Sequence, residues 1–141
     1  MLIRKASAVW NGNLKEGNGT MKLASGAFEG NYSFGSRFEQ TKGTNPEELI
    51  GAAHSGCFSM AFAATLTEKG FKPEKVQTEA KVHLDKVDDG FKITVIELDM
   101  TASVPEIDNE EFQSLADAAK KGCPISRSLG GVEIKLKAKL L

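Results

Sequence analysis

The chain has 141 residues, a formal net charge of −1, 40% hydrophobic residues and 26% charged residues. This length fits one domain, residues 1–141, with its own hydrophobic core. The near-neutral charge argues against a nucleic-acid-binding protein, which normally carries a basic excess. Two cysteines are too few for a disulfide framework, and the opening MLIRKASAVW has no apolar signal-peptide region. We therefore expect a cytoplasmic protein whose thiols are either inert or redox-active.

The N-terminal part predicts strands at residues 5–12 and 17–25, joined by a turn, which together indicate a hairpin. Residues 26–43 are poorly patterned and predict a short strand followed by a long loop. Aromatic residues are scattered through this loop among Gly, Ser and Asn. An ordered aromatic loop either covers part of the core or forms a pocket wall.

A long helix is predicted from residue 45 to 69. Asn45 suits the N-cap, Pro46 the first helical position, and Gly70 the left-handed residue after the last turn. No charged residue lies between Glu48 and Glu68, and apolar or small residues occur on every face, which is typical of a buried helix. Its polar and glycine residues dilute the segment too much for a membrane span.

The C-terminal part predicts two long strands, a second helix and a last strand at 132–140. The second strand, 91–104, changes phase between Val95 and Ile96, which predicts either a β-bulge or a strand bent across two packing surfaces. Asp108 is the expected N-cap of the second helix, whose buried stripe is Phe112, Leu115, Ala116 and Ala119. This element order lacks βαβα alternation and indicates an α+β fold with antiparallel sheets.

Cys57 lies in the middle of the long helix, where a cysteine usually behaves as a small hydrophobic residue. However, the surrounding string NPEELIGAAHSGCFSMA and the second cysteine segment KGCPIS, with Cys123, both resemble the OsmC/Ohr family of osmotically inducible protein C-like peroxidases. The resemblance extends through RFEQTKGTNPEEL, LDKVDDGFKIT and VEIKLKAKL, and so covers nearly the whole chain. The resemblance is closer to the OsmC branch, because the arginine of the family motif, Arg37, precedes the long helix.

The resemblance implies an OsmC-like fold, with antiparallel sheets around a long buried central helix, in an intertwined homodimer. It also implies a thiol peroxidase that prefers organic hydroperoxides to hydrogen peroxide. Cys57 would be the peroxidatic thiol and Cys123 the resolving thiol, which form a disulfide with each other. A dithiol, such as a lipoylated protein, would then reduce the enzyme. We expect no cofactor, metal, nucleic acid or membrane partner.

A peroxidatic thiol must ionise at neutral pH, whereas burial raises a thiol pKa, so Cys57 needs a nearby cation. The resemblance points to Arg37 as that cation and to Glu47 as the carboxylate that holds it. Glu47 and Cys57 are ten positions apart, about 15 Å along a straight helix. Three solutions are open: a helix break at Gly51 or Gly56, an arginine that spans the gap, or parts from two subunits.

Two other classes compete with a peroxidase. A non-catalytic OsmC-like stress or binding protein would carry inert core cysteines, but the combination of Cys57, Cys123, Arg37 and Glu47 disfavours it. A protein disulfide oxidoreductase would need a C-x-x-C motif and a βαβ pattern, and neither is present. The two histidines are too far apart in the sequence to indicate a metal site with the cysteines.

Overall fold

The computed structural model describes all residues, Met1–Leu141, and the chain divides into two compact units, Met1–Leu49 and Ile50–Leu141. The boundary falls inside the long helix, so the single domain over 1–141 stays a prediction. The elements in chain order are β1 (Ala6–Asn11), β2 (Asn18–Leu23), β3 (Glu29–Tyr32), α1 (Phe34–Phe38), α2 (Pro46–Glu68), β4 (Lys75–Val87), β5 (Gly90–Ser103), α3 (Asn109–Gly122), α4 (Pro124–Ser128) and β6 (Glu133–Leu140).

The first unit contains a three-stranded antiparallel sheet in the order β1-β2-β3. The predicted hairpin is confirmed, because β1 pairs with β2 from Ala6 opposite Leu23 to Asn11 opposite Asn18. Gly12 begins the connection with a φ of 89°, a backbone conformation that glycine adopts without steric cost. The hairpin therefore ends where the sequence places its turn.

Helix α1 was not predicted, since its segment looked like a loop. Ser33 caps it: Ser33 Oγ accepts from the Ser36 backbone N–H at 3.1 Å, and Ser36 Oγ accepts from the Ser33 backbone N–H at 2.9 Å. This is a capping box in which serine takes the place of the usual Glu or Gln, so the sequence rule misses it. Ser36 Oγ also donates to the Thr44 carbonyl at 2.7 Å, which ties α1 to the approach to α2.

The ends of α2 are those that the sequence predicts. Asn45 Oδ1 accepts from the Glu48 backbone N–H at 2.8 Å, and the helix runs without interruption from Pro46 to Glu68. Gly70 then takes a φ of 89°. The helix is not broken at a glycine, so that solution to the spacing between Glu47 and Cys57 is wrong.

The burial of α2 differs from the expectation, because the chain buries only one of its faces. The buried stripe repeats at helical spacing and consists of Gly51, His54, Phe58, Phe62 and Leu66. The opposite stripe is exposed although it is apolar, and its Met60 side chain is 77% accessible. By length and composition α2 passes a test for membrane-spanning helices that core helices also pass, so this is weak evidence for a membrane span.

The second unit contains a three-stranded sheet in the order β4-β5-β6, which corrects one detail of the predicted α+β fold. Strands β4 and β5 are antiparallel, but β6 is parallel to β5. The reason is the connection between them: α3 and α4 form a helical crossover, which returns the chain to the same end of the sheet. The sequence shows the helix and the strand, but not the direction of the strand.

The predicted bulge in β5 is confirmed. His83 pairs with Val95 whereas Leu84 pairs with Ile93, which leaves Thr94 as the extra residue on β5. Beyond the bulge, alternate residues of β5 face the core and are buried, namely Ile96, Leu98, Met100 and Ala102. The change of phase in the sequence thus marks where β5 begins to face the core.

Helix α3 also matches the sequence. Asp108 Oδ1 accepts from the Glu111 backbone N–H at 2.9 Å, and the four stripe residues predicted for this helix are all buried. Its C-cap is Cys123, with φ −60° and ψ 121°. Pro124 explains this, because a proline disfavours the helical conformation in the residue before it and suits the first position of α4. Cys123 therefore occupies the joint between α3 and α4.

Candidate active site

The structure brings the two cysteines together although they are 66 residues apart in the sequence: Cys123 Sγ lies 3.1 Å from Cys57 Sγ. Both thiols are free, and Cys57 is half-buried while Cys123 is fully buried. A disulfide bond is about 2.05 Å long, so the sulfurs need to approach by about 1 Å to bond. The pair is therefore poised for oxidation with little movement.

An aromatic cluster holds α3 against α2 and so sets the position of Cys123. The Phe62 and Phe112 rings meet edge to face with centroids 5.2 Å apart, and Phe58 stacks on Phe62 at 6.2 Å. All three side chains are inaccessible to solvent. Such pairs add to the energy of apolar burial. Since Phe58 directly follows Cys57, the same cluster fixes both ends of the thiol pair.

The two thiols differ in acidity for physical reasons. Burial raises the pKa of Cys57, the Ile125 backbone N–H opposes this, and the hydrogen bond with Cys123 raises it further. For Cys123 burial also acts to raise the pKa, but interactions with the Ser126 backbone N–H, the Cys57 thiol and the Ser126 hydroxyl outweigh it and lower the pKa. A nucleophilic role for Cys57 therefore still requires a cation.

Arg37 and Glu47 form an ion pair within the first unit. Arg37 Nη2 donates to Glu47 Oε1 at 2.7 Å, and Nε lies 3.2 Å from both carboxylate oxygens. The Glu47 side chain is 11% exposed and the Arg37 side chain 38% exposed. Because Nε and Nη2 face the carboxylate, the Nη1 edge of the guanidinium points away from this pair. The carboxylate thus orients the guanidinium while leaving it an unused donor edge.

Short-range contacts explain how the sequence places Arg37. It follows Ser36, whose hydroxyl and carbonyl bond to Thr44 and to the Asn45 side chain at 2.7 and 3.1 Å. These bonds tie α1 to the start of α2, where Glu47 lies in the first turn. The Arg37 guanidinium also lies 5.3 Å from the centroid of the Phe38 ring. The bonds of Ser36 to Thr44 and Asn45, together with the Phe38 ring, therefore hold the arginine in place.

An aromatic cleft of about 210 Å³ lies beside Arg37, entirely within the first unit. Phe34 and Phe38 contribute to it, with ring centroids 5.0 Å apart, whereas Phe58 and Phe62 belong to the core. The sequence left open whether the aromatic loop covers the core or forms a pocket wall, and Phe34 and Phe38 of that loop line this cleft. Other apolar side chains also line the cleft, namely Trp10, Leu14 and Tyr32. Nothing in the sequence marked Trp10 and Leu14, which the hairpin brings to α1, whereas Tyr32 belongs to the aromatic loop considered as a pocket wall.

Sequence reasoning also missed a polar contact behind the thiols. His54 is fully buried on α2, and its Nε2 lies 2.7 Å from Ser126 Oγ. The sequence interpretation considered His54 only as a metal ligand. An imidazole three residues before Cys57 in an otherwise apolar helix is the signal that was available. The structure gathers no group of three or more side chains able to hold a metal ion.

The fold and the thiol pair define the class: an α+β protein with a paired dithiol site. Residues 39–137 match the family described as OsmC-like protein. The chain is 50% identical over 127 residues to peroxiredoxin OsmC of Escherichia coli, covering 89% of each chain. The chain therefore belongs to the OsmC-like protein family, as the sequence resemblance predicted. The matched region contains Glu47 and both cysteines and begins just after Arg37.

Relatives of the Ohr branch are also similar. The organic hydroperoxide resistance protein OhrB of Bacillus subtilis is 32% identical over 103 residues, which is 72% of this chain and 74% of that protein. The crystal structure of OhrB superimposes with a TM-score of 0.72 at 26% identity, covering 96% of this chain and 98% of OhrB. The α+β fold inferred from the sequence is thus that of OsmC and Ohr proteins.

Proposed function

We propose that this protein is a cysteine-based peroxidase that reduces organic hydroperoxides, and hydrogen peroxide more weakly, to alcohols or water. The observation that carries the proposal is the contact of Cys57 and Cys123 at 3.1 Å. The names of its relatives, peroxiredoxin and organic hydroperoxide resistance protein, support a peroxide-detoxifying role. Roles in the responses to oxidative and osmotic stress are consistent with this assignment.

The proposed cycle has three balanced steps. The Cys57 thiolate attacks the peroxide O–O bond and, with one proton, gives Cys57 sulfenic acid and the alcohol. Cys123 then attacks the sulfenic sulfur, which releases water and forms the Cys57–Cys123 disulfide. A dithiol reductant, such as the lipoylated protein that the family resemblance implies, restores both thiols by thiol–disulfide exchange. No cofactor takes part.

Arg37 is proposed as the cation that ionises Cys57 and orients the peroxide, with Glu47 as its holder. The bidentate ion pair supports this, because it fixes the guanidinium plane and leaves Nη1 for another acceptor. The aromatic cleft beside Arg37 supports a preference for organic substrates, since its walls suit an apolar tail that hydrogen peroxide lacks. Substrate size and chemistry would then be selected in the first unit.

A non-catalytic OsmC-like stress or binding protein is the alternative. It requires inert core thiols, whereas Cys57 is only half-buried and touches a second thiol. Titration of the thiols at neutral pH separates the two functions. A peroxidase shows one fast-reacting thiol that peroxide consumes, and an inert pair reacts with neither alkylating agents nor peroxide until the protein unfolds.

The direct test is peroxide consumption by the reduced protein with an excess dithiol. We expect a higher kcat/KM for an alkyl hydroperoxide than for hydrogen peroxide, because only the former has a tail for the cleft. A dithiol without protein is the blank. If neither peroxide is consumed above the blank, the proposed function is wrong, and if hydrogen peroxide is preferred, the assignment of the cleft is wrong.

Replacement of the arginine tests the proposed cation. Arg37→Ala is expected to raise the pKa of Cys57 and to slow the reaction with organic hydroperoxide by about 10²-fold or more, roughly 3 kcal/mol in the barrier. The pH profile of Cys57 alkylation by iodoacetamide should move to higher pH, because a thiol without its cation ionises later. Arg37→Lys should rescue poorly, since a point charge lacks the planar fork.

Two further variants make this measurement specific. Glu47→Ala should give a smaller defect in the same direction, because the cation remains but loses its orienting partner. Arg127→Ala is the matched control, as it removes an arginine of α4 that lies four positions after Cys123 in the sequence. If the pH profile of Cys57 alkylation is unchanged in Arg37→Ala but shifts in Arg127→Ala, the cation that stabilises the thiolate is Arg127, and the proposal for Arg37 is wrong.

We also propose an obligate, intertwined homodimer. The apolar stripe of α2 that remains exposed in the single chain supports this, with Ala52, Ala53, Gly56, Met60 and Ala64. Obligate dimers bury apolar faces that resemble a divided core. Sedimentation at micromolar concentration should show twice the chain mass of 15.2 kDa. A stable folded monomer under these conditions contradicts the proposal.

We also propose a cytoplasmic location for this protein, because thiols are kept reduced in that compartment.

A further inference from the structure

A line of polar contacts runs from the interior of the second unit to the thiol pair. His54 Nε2 lies 2.7 Å from Ser126 Oγ, and the Ser126 hydroxyl is near enough to the Cys123 thiol to lower its pKa. Cys123 Sγ is 3.1 Å from Cys57 Sγ. The imidazole is completely buried, so it contacts neither solvent nor substrate. The proposed cycle assigns no task to this histidine.

The second ring nitrogen shows in which direction these bonds run. His54 Nδ1 is buried and has no hydrogen-bond partner. A buried N–H without an acceptor is rarer in proteins than a buried acceptor without a donor. The proton of the neutral ring is therefore on Nε2, which donates to Ser126 Oγ. Burial lowers the pKa of His54 and keeps the ring neutral. The Ser126 hydroxyl, having accepted from His54, is left to donate to Cys123.

We infer that His54 is a positioning residue for the resolving step, acting through Ser126. By donating to Ser126 Oγ, it directs the serine hydrogen to the Cys123 sulfur and so stabilises the thiolate that attacks Cys57 sulfenic acid. The inference rests on the proposed function and adds the device that activates the second thiol. Cys123 needs such help because its site is fully buried, and burial alone opposes ionisation.

The step balances without the histidine gaining a proton. Cys123 loses its thiol proton, the new S–S bond forms, and the S–O bond of Cys57 sulfenic acid breaks. The Cys123 sulfur is oxidised by one unit and the Cys57 sulfur is reduced by one. The departing hydroxide takes up one proton, equal to the one that Cys123 lost, and leaves as water. His54 and Ser126 donate hydrogen bonds throughout and end the step unchanged.

Single-turnover oxidation of the reduced protein tests the inference. After one equivalent of alkyl hydroperoxide, quenched samples are analysed by mass spectrometry for sulfenic acid, trapped with dimedone, and for disulfide. Ser126→Ala and His54→Leu should leave the consumption of peroxide unchanged and slow disulfide formation by about tenfold. The matched control is Ser128→Ala, which removes another hydroxyl of α4, one that bonds the Ile125 carbonyl at 2.8 Å. Ser128→Ala should form the Cys57–Cys123 disulfide at the wild-type rate.

Rescue and coupling distinguish positioning from a structural role. Ser126→Thr keeps the hydroxyl and His54→Gln keeps a donor, so both should resolve faster than the variants that remove these groups. In a Ser126→Ala background, His54→Leu should cause no further slowing, because the histidine acts only through the serine. The inference would be overturned if the double variant formed the disulfide more slowly than Ser126→Ala alone. It would also be overturned if Ser126→Ala formed the disulfide as fast as Ser128→Ala.

A second readout does not depend on peroxidase activity. In a Cys57→Ala background, ultraviolet absorbance of the thiolate reports the ionisation of Cys123 alone. Adding Ser126→Ala should raise the pKa of Cys123, whereas adding Ser128→Ala should not. If the wild type forms no disulfide with peroxide, the proposed function fails while this titration still decides the role of Ser126. If the pKa of Cys123 in the Cys57→Ala background is the same with and without Ser126→Ala, the inference fails and the proposed function stands.

Discussion

Cys57→Ser is expected to abolish peroxide turnover while the protein stays folded. A serine hydroxyl is nearly the size of a thiol but does not ionise at neutral pH, and it is a weak nucleophile without a base. No sulfenic acid can form on it, so the loss extends to the first equivalent of peroxide. The measurement is consumption of an alkyl hydroperoxide in single and multiple turnover, with thermal unfolding to show that the fold persists.

A second variant of the same helix serves as the control. Ser59→Ala removes a side-chain hydrogen bond between α2 and β4, in which Ser59 Oγ lies 2.8 Å from Thr78 Oγ1. It should destabilise the fold by about 1 kcal/mol and leave the first oxidation intact. Substantial peroxidase activity in Cys57→Ser, or a similar loss in Ser59→Ala, contradicts the assignment of Cys57 as the nucleophile.

Cys123→Ser is expected to reduce one equivalent of peroxide and then stop. Cys57 still forms sulfenic acid, but no thiol lies within reach to convert it to a disulfide. Excess peroxide should therefore drive Cys57 to the sulfinic state, which thiols do not reverse. Mass spectrometry of the peptide that contains Cys57 measures this, and the wild type under the same treatment should retain a reducible disulfide.

The wild-type protein provides the opposite check. Peroxide followed by non-reducing trypsin digestion should give a cross-linked peptide that contains Cys57 and Cys123, because the sulfurs are already 3.1 Å apart. Absence of this peptide rules out the two-cysteine mechanism. Continued turnover of Cys123→Ser with a dithiol also contradicts it, since the external thiol would then resolve Cys57 directly.

Local features of the chain could be predicted because they depend on neighbouring residues. Caps by Asn45 and Asp108, the buried stripe of α3 and the bulge near Thr94 all follow from hydrogen-bonding groups or apolar periodicity within a few positions. Helix α1 was missed for a local reason as well, because a serine replaces the expected Glu or Gln of its capping box. The motifs around both cysteines likewise identified the family.

The tertiary structure decided everything that depends on separate segments meeting. The parallel direction of β6 and the one-sided burial of α2 follow from how elements pack, which periodicity does not encode. The sequence resemblance nominated Cys57 and Cys123, but only packing between α2 and the α3–α4 joint sets their sulfurs 3.1 Å apart. In the sequence His54 is an isolated histidine, and only the fold places Ser126 against it. A hydrogen bond between residues 72 positions apart leaves no local sequence pattern.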